Sequence, residues 1–222
     1  MSCPTTTPNL LGLRVLHRTM RADLHRLTAL VERLADLRAA IGTKRAKALD
    51  AWIRGLCAEI HHHHLAEDEI AWPVIERHAG AAADLTGLSD DHAALGPLLA
   101  DVRKASTALV RGPSAELPAQ AGALAGRLAR LRDTLDEHIA DEEREIFPII
   151  ERYVPAAEWD AVTRGVARMA GGPGPAFQVP RILDVATPEE LAALRAEAGP
   201  LLPIMAAALR PGHRRRERLV FG

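Results

Sequence analysis

The chain has 222 residues, of which 48% are apolar but only 3% aromatic, and its formal net charge is -1. That length suffices for one good-sized domain plus an extension, and a core drawn from Leu, Ala, Val and Ile suits helices better than sheets. Near-neutral charge gives no overall electrostatic case for nucleic acid, and no run of about 20 apolar residues is present that could span a bilayer. The start, MSCPTTTPNLLGLRVLHR, lacks a basic region followed by a long apolar run. No signal peptide is expected, and the chain is read as cytoplasmic. Cys3 and Cys57, with no CxxC, are read as thiols rather than as a disulfide framework, and Cys57 as a small apolar filler.

Four segments carry apolar residues at alternating three- and four-residue spacing, the period of a buried helix face. The first reads Leu10, Leu13, His17, Met20, Leu24, Leu27, Val31, Leu34. Gly42-Thr43 separates it from the second, which reads Leu56, Ile60, His63, Glu67, Ile70, Val74. Around Gly80 to Ser89 the second gives way to the third, which reads Leu85, Leu88, His92, Leu95, Leu99, Val102. Gly112-Pro113-Ser114 precedes the fourth: Leu124, Leu128, Leu131, Leu135, His138, Glu142, Ile149. Connections this short make neighbouring helices antiparallel, so residues 8–155 are expected to form an all-α, up-down-up-down four-helix bundle. Pro73 and Pro148 each lack a backbone donor and should kink or weaken their helices.

Residues 156–222 read as a helical C-terminal extension. A short helix is expected over residues 156–170, followed by a breaker at Gly171-Gly172-Pro173-Gly174-Pro175. Thr187-Pro188-Glu189-Glu190 is a helix start, with a hydroxyl cap, proline in the first helical position and glutamate placed for a capping box. That helix should end at Gly199-Pro200. The apolar run from Leu201 to Leu209 is expected to dock on the bundle, being too short for a membrane span. The basic tail Arg214-Arg215-Arg216-Glu217-Arg218 is expected to be solvated, with contact to a protein partner as its alternative role.

Each stripe carries one histidine where a leucine is expected, and two carry a glutamate one turn later. His63-x3-Glu67 and His138-x3-Glu142 are one device written twice, 75 positions apart (63 to 138). An aromatic-proline pair follows each copy, Trp72-Pro73 and Phe147-Pro148, and then Val74-Ile75-Glu76-Arg77 matches Ile149-Ile150-Glu151-Arg152. His17 and His92 obey the same shift. This is the pattern of a duplicated helical hairpin with a metal site between its halves. A single histidine on an apolar stripe is more often a hydrogen-bonded core residue than a ligand. Six such groups together are a different matter. A polar group buried without a partner costs roughly 1–3 kcal/mol and an isolated carboxylate more. Their sum is comparable to the whole stability of a domain, about 5–15 kcal/mol. A bound cation reverses that sign. Imidazole nitrogen with carboxylate oxygen suits iron, manganese or zinc. The absence of cysteine from the set argues against structural tetrahedral zinc. Two carboxylates between two histidine pairs favour two ions that share them.

Neighbouring residues compete for these roles. In the run His61-His62-His63-His64, successive side chains point about 100° apart, so only one lies centrally on the stripe. His63 keeps phase with Ile60, Glu67 and Ile70. His62 ranks first as a supplementary ligand and His64 behind it. Glu59 is read as a solvated helix glutamate ahead of a role as acceptor for a ligand N–H. Glu142 repeats the spacing of Glu67 and is preferred to Asp141 and Glu143. Glu143 mirrors Asp68 and is read as a rim residue. His25 and Arg21 are read as surface side chains.

One histidine in each of the first and third helices, with His-x3-Glu twice and an aromatic-proline pair after each copy, resembles the hemerythrin-like (HHE cation-binding) family over residues 8–155. The run from Pro200 to Arg218 is also similar to tails on bacterial members. The resemblance implies a non-haem, oxo- or carboxylate-bridged di-iron centre held by His17, His63, Glu67, His92, His138 and Glu142, with the two glutamates as the bridging carboxylates. The oxygen-carrying hemerythrins have a second histidine one turn after the one in the third helix. Here that place is Gly96, which cannot ligate. Four histidines are therefore expected, with an iron position left open or filled from elsewhere. This favours binding, sensing or detoxifying small oxidants (dioxygen, nitric oxide or hydrogen peroxide) over oxygen carriage, and leaves enzymatic turnover open. The alternatives are a metal-responsive sensor or interaction module that uses the extension, and an iron-storage or structural-metal bundle.

Overall fold

The computed structural model describes residues 7–36, 41–113 and 116–222. Cys3 and Ser114 lie outside them. Among the described residues there are helices and no strand. The bundle is built from α1 (Leu11–Asp36), α2 (Thr43–Ala66) with its continuation α3 (Trp72–Ala79), α4 (Thr86–Arg111) and α5 (Leu117–Tyr153). α1 packs on α2 and α5, and α4 packs on the same two, which closes a ring of four. On facing helices the partner numbers run in opposite directions: His17 meets His63 while Asp23 meets Trp52, and His64 stacks on His92 while Asp50 meets Ser106. The helices therefore alternate up and down, as their short connections require.

The predicted stripes form two apolar clusters. The larger includes Leu24, Leu56, Leu99, Leu128 and Leu131, and the smaller includes Trp72, Ile75, Ile146, Phe147 and Ile150. Along every bundle helix the histidine falls between residues of one cluster and residues of the other, which sets all four at one level of the bundle.

The second stripe changes phase after Glu67. A π turn spans Glu67–Ala71, closed by the Trp72 N–H donating to the Glu67 carbonyl. The turn holds one extra residue, so Ala71 and Ile75 are buried where the stripe predicted Ile70 and Val74. Pro73 explains its position, because it has no N–H to give and its ring crowds the carbonyl four residues back. Pro148 was expected to act alike, yet α5 runs through it to Tyr153. Pro148 is exposed, so the carbonyl it leaves without a donor faces water.

The extension contains α6 (Ala156–Arg168), α7 (Pro175–Val185), α8 (Pro188–Ala198) and α9 (Leu201–Phe221). The capping box forms as read: Thr187 Oγ1 accepts from the Glu190 N–H at 3.3 Å, and Glu190 Oε2 accepts from the Thr187 N–H at 2.8 Å. Gly199, at φ 66, ends α8 in a conformation that only glycine adopts cheaply. α7 was not anticipated, although Pro175 in its first turn is a recognised start signal.

The extension docks by its tail and not by its apolar run. Leu201 and Ile204 are 61% and 66% exposed, whereas His213 and Val220 are buried. Arg45 donates to the Val220 carbonyl at 3.0 Å, and the Phe221 ring meets Trp52 edge-on at 5.1 Å. The basic residues do not prevent this, because their long stems carry the charges outward; Arg216, for instance, reaches the Ala176 carbonyl.

Glu59 also departs from expectation. It is 1% exposed and accepts from Arg181 Nη1 at 2.6 Å, while Arg181 Nε donates to Asp23 at 2.7 Å. Trp52 Nε1 donates to the same Asp23 oxygen at 2.7 Å. Burial raises the Glu59 pKa and the Arg181 charge opposes it. Beside this triad the Phe177 ring lies so close to Gly55 that a Cβ there would stand 2.9 Å from it. No single helix among the described residues is long and apolar enough to cross a membrane.

Candidate metal centre

All six residues singled out from the sequence converge. His17 Nε2 lies 3.1 Å from His63 Nε2, and His92 Nε2 lies 3.2 Å from His138 Nε2. Glu67 spans the two pairs, with Oε1 3.3 Å from His63 Nε2 and Oε2 3.5 Å from His92 Nε2. Glu142 Oε2 stands 3.4 Å from His17 Nε2.

The outer ring nitrogens explain why the inner ones face each other. His17 Nδ1–H donates to Glu143 Oε1 at 2.9 Å, His92 Nδ1–H to Asp68 Oδ1 at 2.8 Å, and His138 Nδ1–H to Asp91 Oδ2 at 3.4 Å. Each carboxylate fixes the proton on Nδ1 and turns a bare Nε2 lone pair inward. At His92 and His138, where both outer nitrogens are so engaged, two lone pairs about 3 Å apart repel unless a cation lies between them. At Zn–N-type bond lengths of about 2.0–2.1 Å, two adjacent nitrogens on one ion would stand at that separation.

The duplication is visible in three dimensions. The 75-residue shift relates His17 with Glu143 to His92 with Asp68, taken crosswise between the halves. It also relates the aromatics: Phe147 stacks on His17 at 5.7 Å and Trp72 on His92 at 5.9 Å. The repeated aromatic therefore serves as a flat wall against the histidine of the other half.

His64 breaks the symmetry, and the sequence reading ranked it too low. It is buried, stacks on His92 with ring centres 4.4 Å apart, and has no hydrogen-bond partner at Nε2. His62 instead turns away to the Met169 carbonyl at 3.3 Å. The missed signal was spacing: His64 is four residues after Ile60, as regular a helical step as the three to His63. Its counterpart in the second half is Ile139, an apolar residue. Donor atoms thus gather into two groups, His64 with Glu67, His92 and His138, and His17 with His63, Glu67 and Glu142. Gly96 leaves open space where a Cβ would be, and His64 lines the same pocket.

Burial dominates the electrostatics. It pushes Glu67 well above the ordinary carboxyl range, helped by the Glu142 charge, and it raises Glu142, with His17 opposing. It holds His63 and His64 well below the ordinary imidazole value and lowers His138 to about 4. Both oxygens of Glu67 and of Glu142 are buried without a hydrogen-bond partner. Four orphaned acceptors beside inward lone pairs form a donor set that a cation satisfies and that protein groups here do not. Of the other candidates, Arg21 and His25 pair with Asp136 instead, and Cys57 is a buried thiol whose pKa burial raises to about 12.

A helical bundle with buried, duplicated His and Glu donors defines a cation-binding protein of the four-helix type. The family model described as hemerythrin HHE cation binding domain matches residues 12–150, and the chain belongs to that family. Searches among curated proteins and solved structures returned no match.

Proposed function

We propose that the chain holds two iron ions, one at each donor group, and uses them to bind, sense or detoxify small oxidants such as dioxygen, nitric oxide or hydrogen peroxide. The observation that carries this reading is the inequality of the two groups around the shared Glu67. One offers three histidines and the other two, so an incoming oxidant finds more room at the second. Nitrogen and carboxylate donors without thiolate suit iron, and a pair of ferrous ions supplies two electrons to one oxidant. The protein's own groups do the rest. Glu143, Asp68 and Asp91 hold protons on Nδ1 of three histidines and keep their Nε2 atoms committed to the centre. Glu67 and Glu142 place negative charge between two cations, and Phe147 and Trp72 keep water from the ring faces.

Anaerobic iron loading followed by elemental analysis should find two irons per chain. Exposure to air, peroxide or nitric oxide should then give new near-UV and visible absorption. Absence of iron uptake overturns the reading, and full occupancy without reaction to any of the three oxidants supports a structural or storage ion instead. His64→Leu should lower the affinity for one of the two ions by more than the roughly 10–100-fold typical of losing an outer hydrogen-bond partner. Iron content should then approach one per chain, whereas His62→Leu should leave two. Equal iron content in the two variants would remove His64 from the centre.

A further inference from the structure

The two-histidine group borders a cavity far larger than a diatomic needs. Its volume is about 420 Å³, within the range of about 300–1,000 Å³ of small-molecule sites. His63, Glu67 and Glu142 line one side of it. Leu13 and Leu16 from α1, Trp72, and Trp159, Val162 and Ile182 from the extension line the rest. At the mouth, Asn9 Nδ2 donates to Glu197 at 2.9 Å and ties α8 to the chain just before α1.

The duplication shows where the apolar character of this wall comes from. Leu16 is the counterpart of Asp91 (16 to 91 is the same 75), so the carboxylate that serves His138 in one half is replaced by an apolar wall beside His63 in the other. No lysine or arginine lines the cavity, and its ionisable lining is His63, Glu67, Glu142 and Glu197. Such a lining offers an anionic head no basic side chain, and its leucine, valine and tryptophan wall gives a tail apolar contact.

We propose that the cavity binds a neutral aliphatic molecule, its single hydroxyl or hydroperoxide head toward Glu142 and the two-histidine metal position and its tail against Leu16, Trp159 and Val162. The placement of the head rests on the iron reading above; the binding of the tail does not. If both hold, the oxidant class extends from hydrogen peroxide to alkyl hydroperoxides.

The test is calorimetric titration of the full chain, metal-free and iron-loaded, with n-hexanol, n-octanol and n-decanol. Binding should tighten about three- to fourfold per added methylene in both forms. In the metal-free form decanoate should bind at least tenfold more weakly than n-decanol, because no lysine or arginine lines the cavity to pair with its carboxylate. Gly12→Phe should weaken n-decanol at least tenfold, because Gly12 lines the cavity and a Cβ there meets nothing within 4 Å. The substitution also removes a helix glycine, which favours folding. Ala167→Trp, a second lining position, should act alike, with helical circular dichroism and the melting temperature as the folding control. Absence of alkanol binding, affinity independent of chain length, a preference for decanoate in the metal-free form, or unchanged binding in both filled variants would each overturn the proposal. A chain that takes up iron and reacts with peroxide but binds no alkanol refutes the cavity alone. A chain that binds alkanols but takes up no iron refutes the iron reading and the head placement, and leaves the tail site standing.

Discussion

Arg181→Met is expected to destabilise the chain by about 3–5 kcal/mol, the usual result of removing one partner from a buried charge cluster. Arg181 is 3% exposed and is the cation recorded against both Asp23 and Glu59, themselves buried. Its loss leaves two carboxylates facing each other under the extension. At about 2–4 °C per kcal/mol for a chain of this size, the melting midpoint should fall by at least about 6 °C. Adding Glu59→Gln should recover part of the loss, because one orphaned charge is removed. Arg77→Gln, which breaks the exposed pair with Glu158 between the bundle and the extension, should cost less than about 1 kcal/mol. Thermal and guanidinium melts of the four proteins check this. An Arg181→Met chain as stable as the parent would mean that apolar contacts, those of Trp159, Val162, Phe177, Val220 and Phe221 among them, hold the extension without help from the charge cluster.

Stripping the cation is expected to cost about 4 kcal/mol relative to protein in a thousandfold excess over its dissociation constant. It should also change the pH dependence of stability. In the metal-free chain Glu67 and Glu142 are raised, so folded molecules keep protons that unfolded ones release above about pH 4.3. Stability from these groups is full below that pH and is lost as pH rises toward their folded values, by up to about 1.4 kcal/mol per pH unit for each group. His63, His64 and His138 are lowered, so unfolded molecules take up protons below about pH 6.5 that folded ones refuse. That contribution is present above about pH 6.5 and is lost as pH falls. The two trends oppose each other between these values. The advantage of the loaded chain over the metal-free one in melting temperature should widen as pH rises, because the cation relieves Glu67 and Glu142 of the cost of losing their protons in a buried site. Parallel slopes in the two forms would rule out these side chains as the cation's ligands.

Much of the site was legible in the sequence for one reason. A 75-residue duplication repeats each histidine and glutamate in the same helical phase, and helical phase is a local property of the chain. It separated Glu142 from Asp141 and Glu143, and it placed Asp68 and Glu143 at the rim, where each accepts from a histidine of the other half. His64 escaped because both three- and four-residue steps keep a helical face. Only the position of α4 across from it decides that its ring meets His92. Glu59 was misread because its counter-ion arrives from Arg181, 122 residues away, in a segment with no periodic signal. The π turn escaped as well, since Pro73 and Pro148 look alike in sequence and differ in structure at the turn before them.

The sequence by itself determined that four helices close around two histidine pairs and two carboxylates. Periodicity and duplication are written along the chain, and burying those groups without a cation is too costly to be accidental. Only the tertiary structure decided that the two halves are unequal. His64 stands where its counterpart is Ile139, Leu16 where its counterpart is Asp91, and the extension walls a cavity on the side with fewer ligands. Those differences depend on which helix faces which across the bundle and on where α6 and α7 come to rest, and no local spacing encodes either.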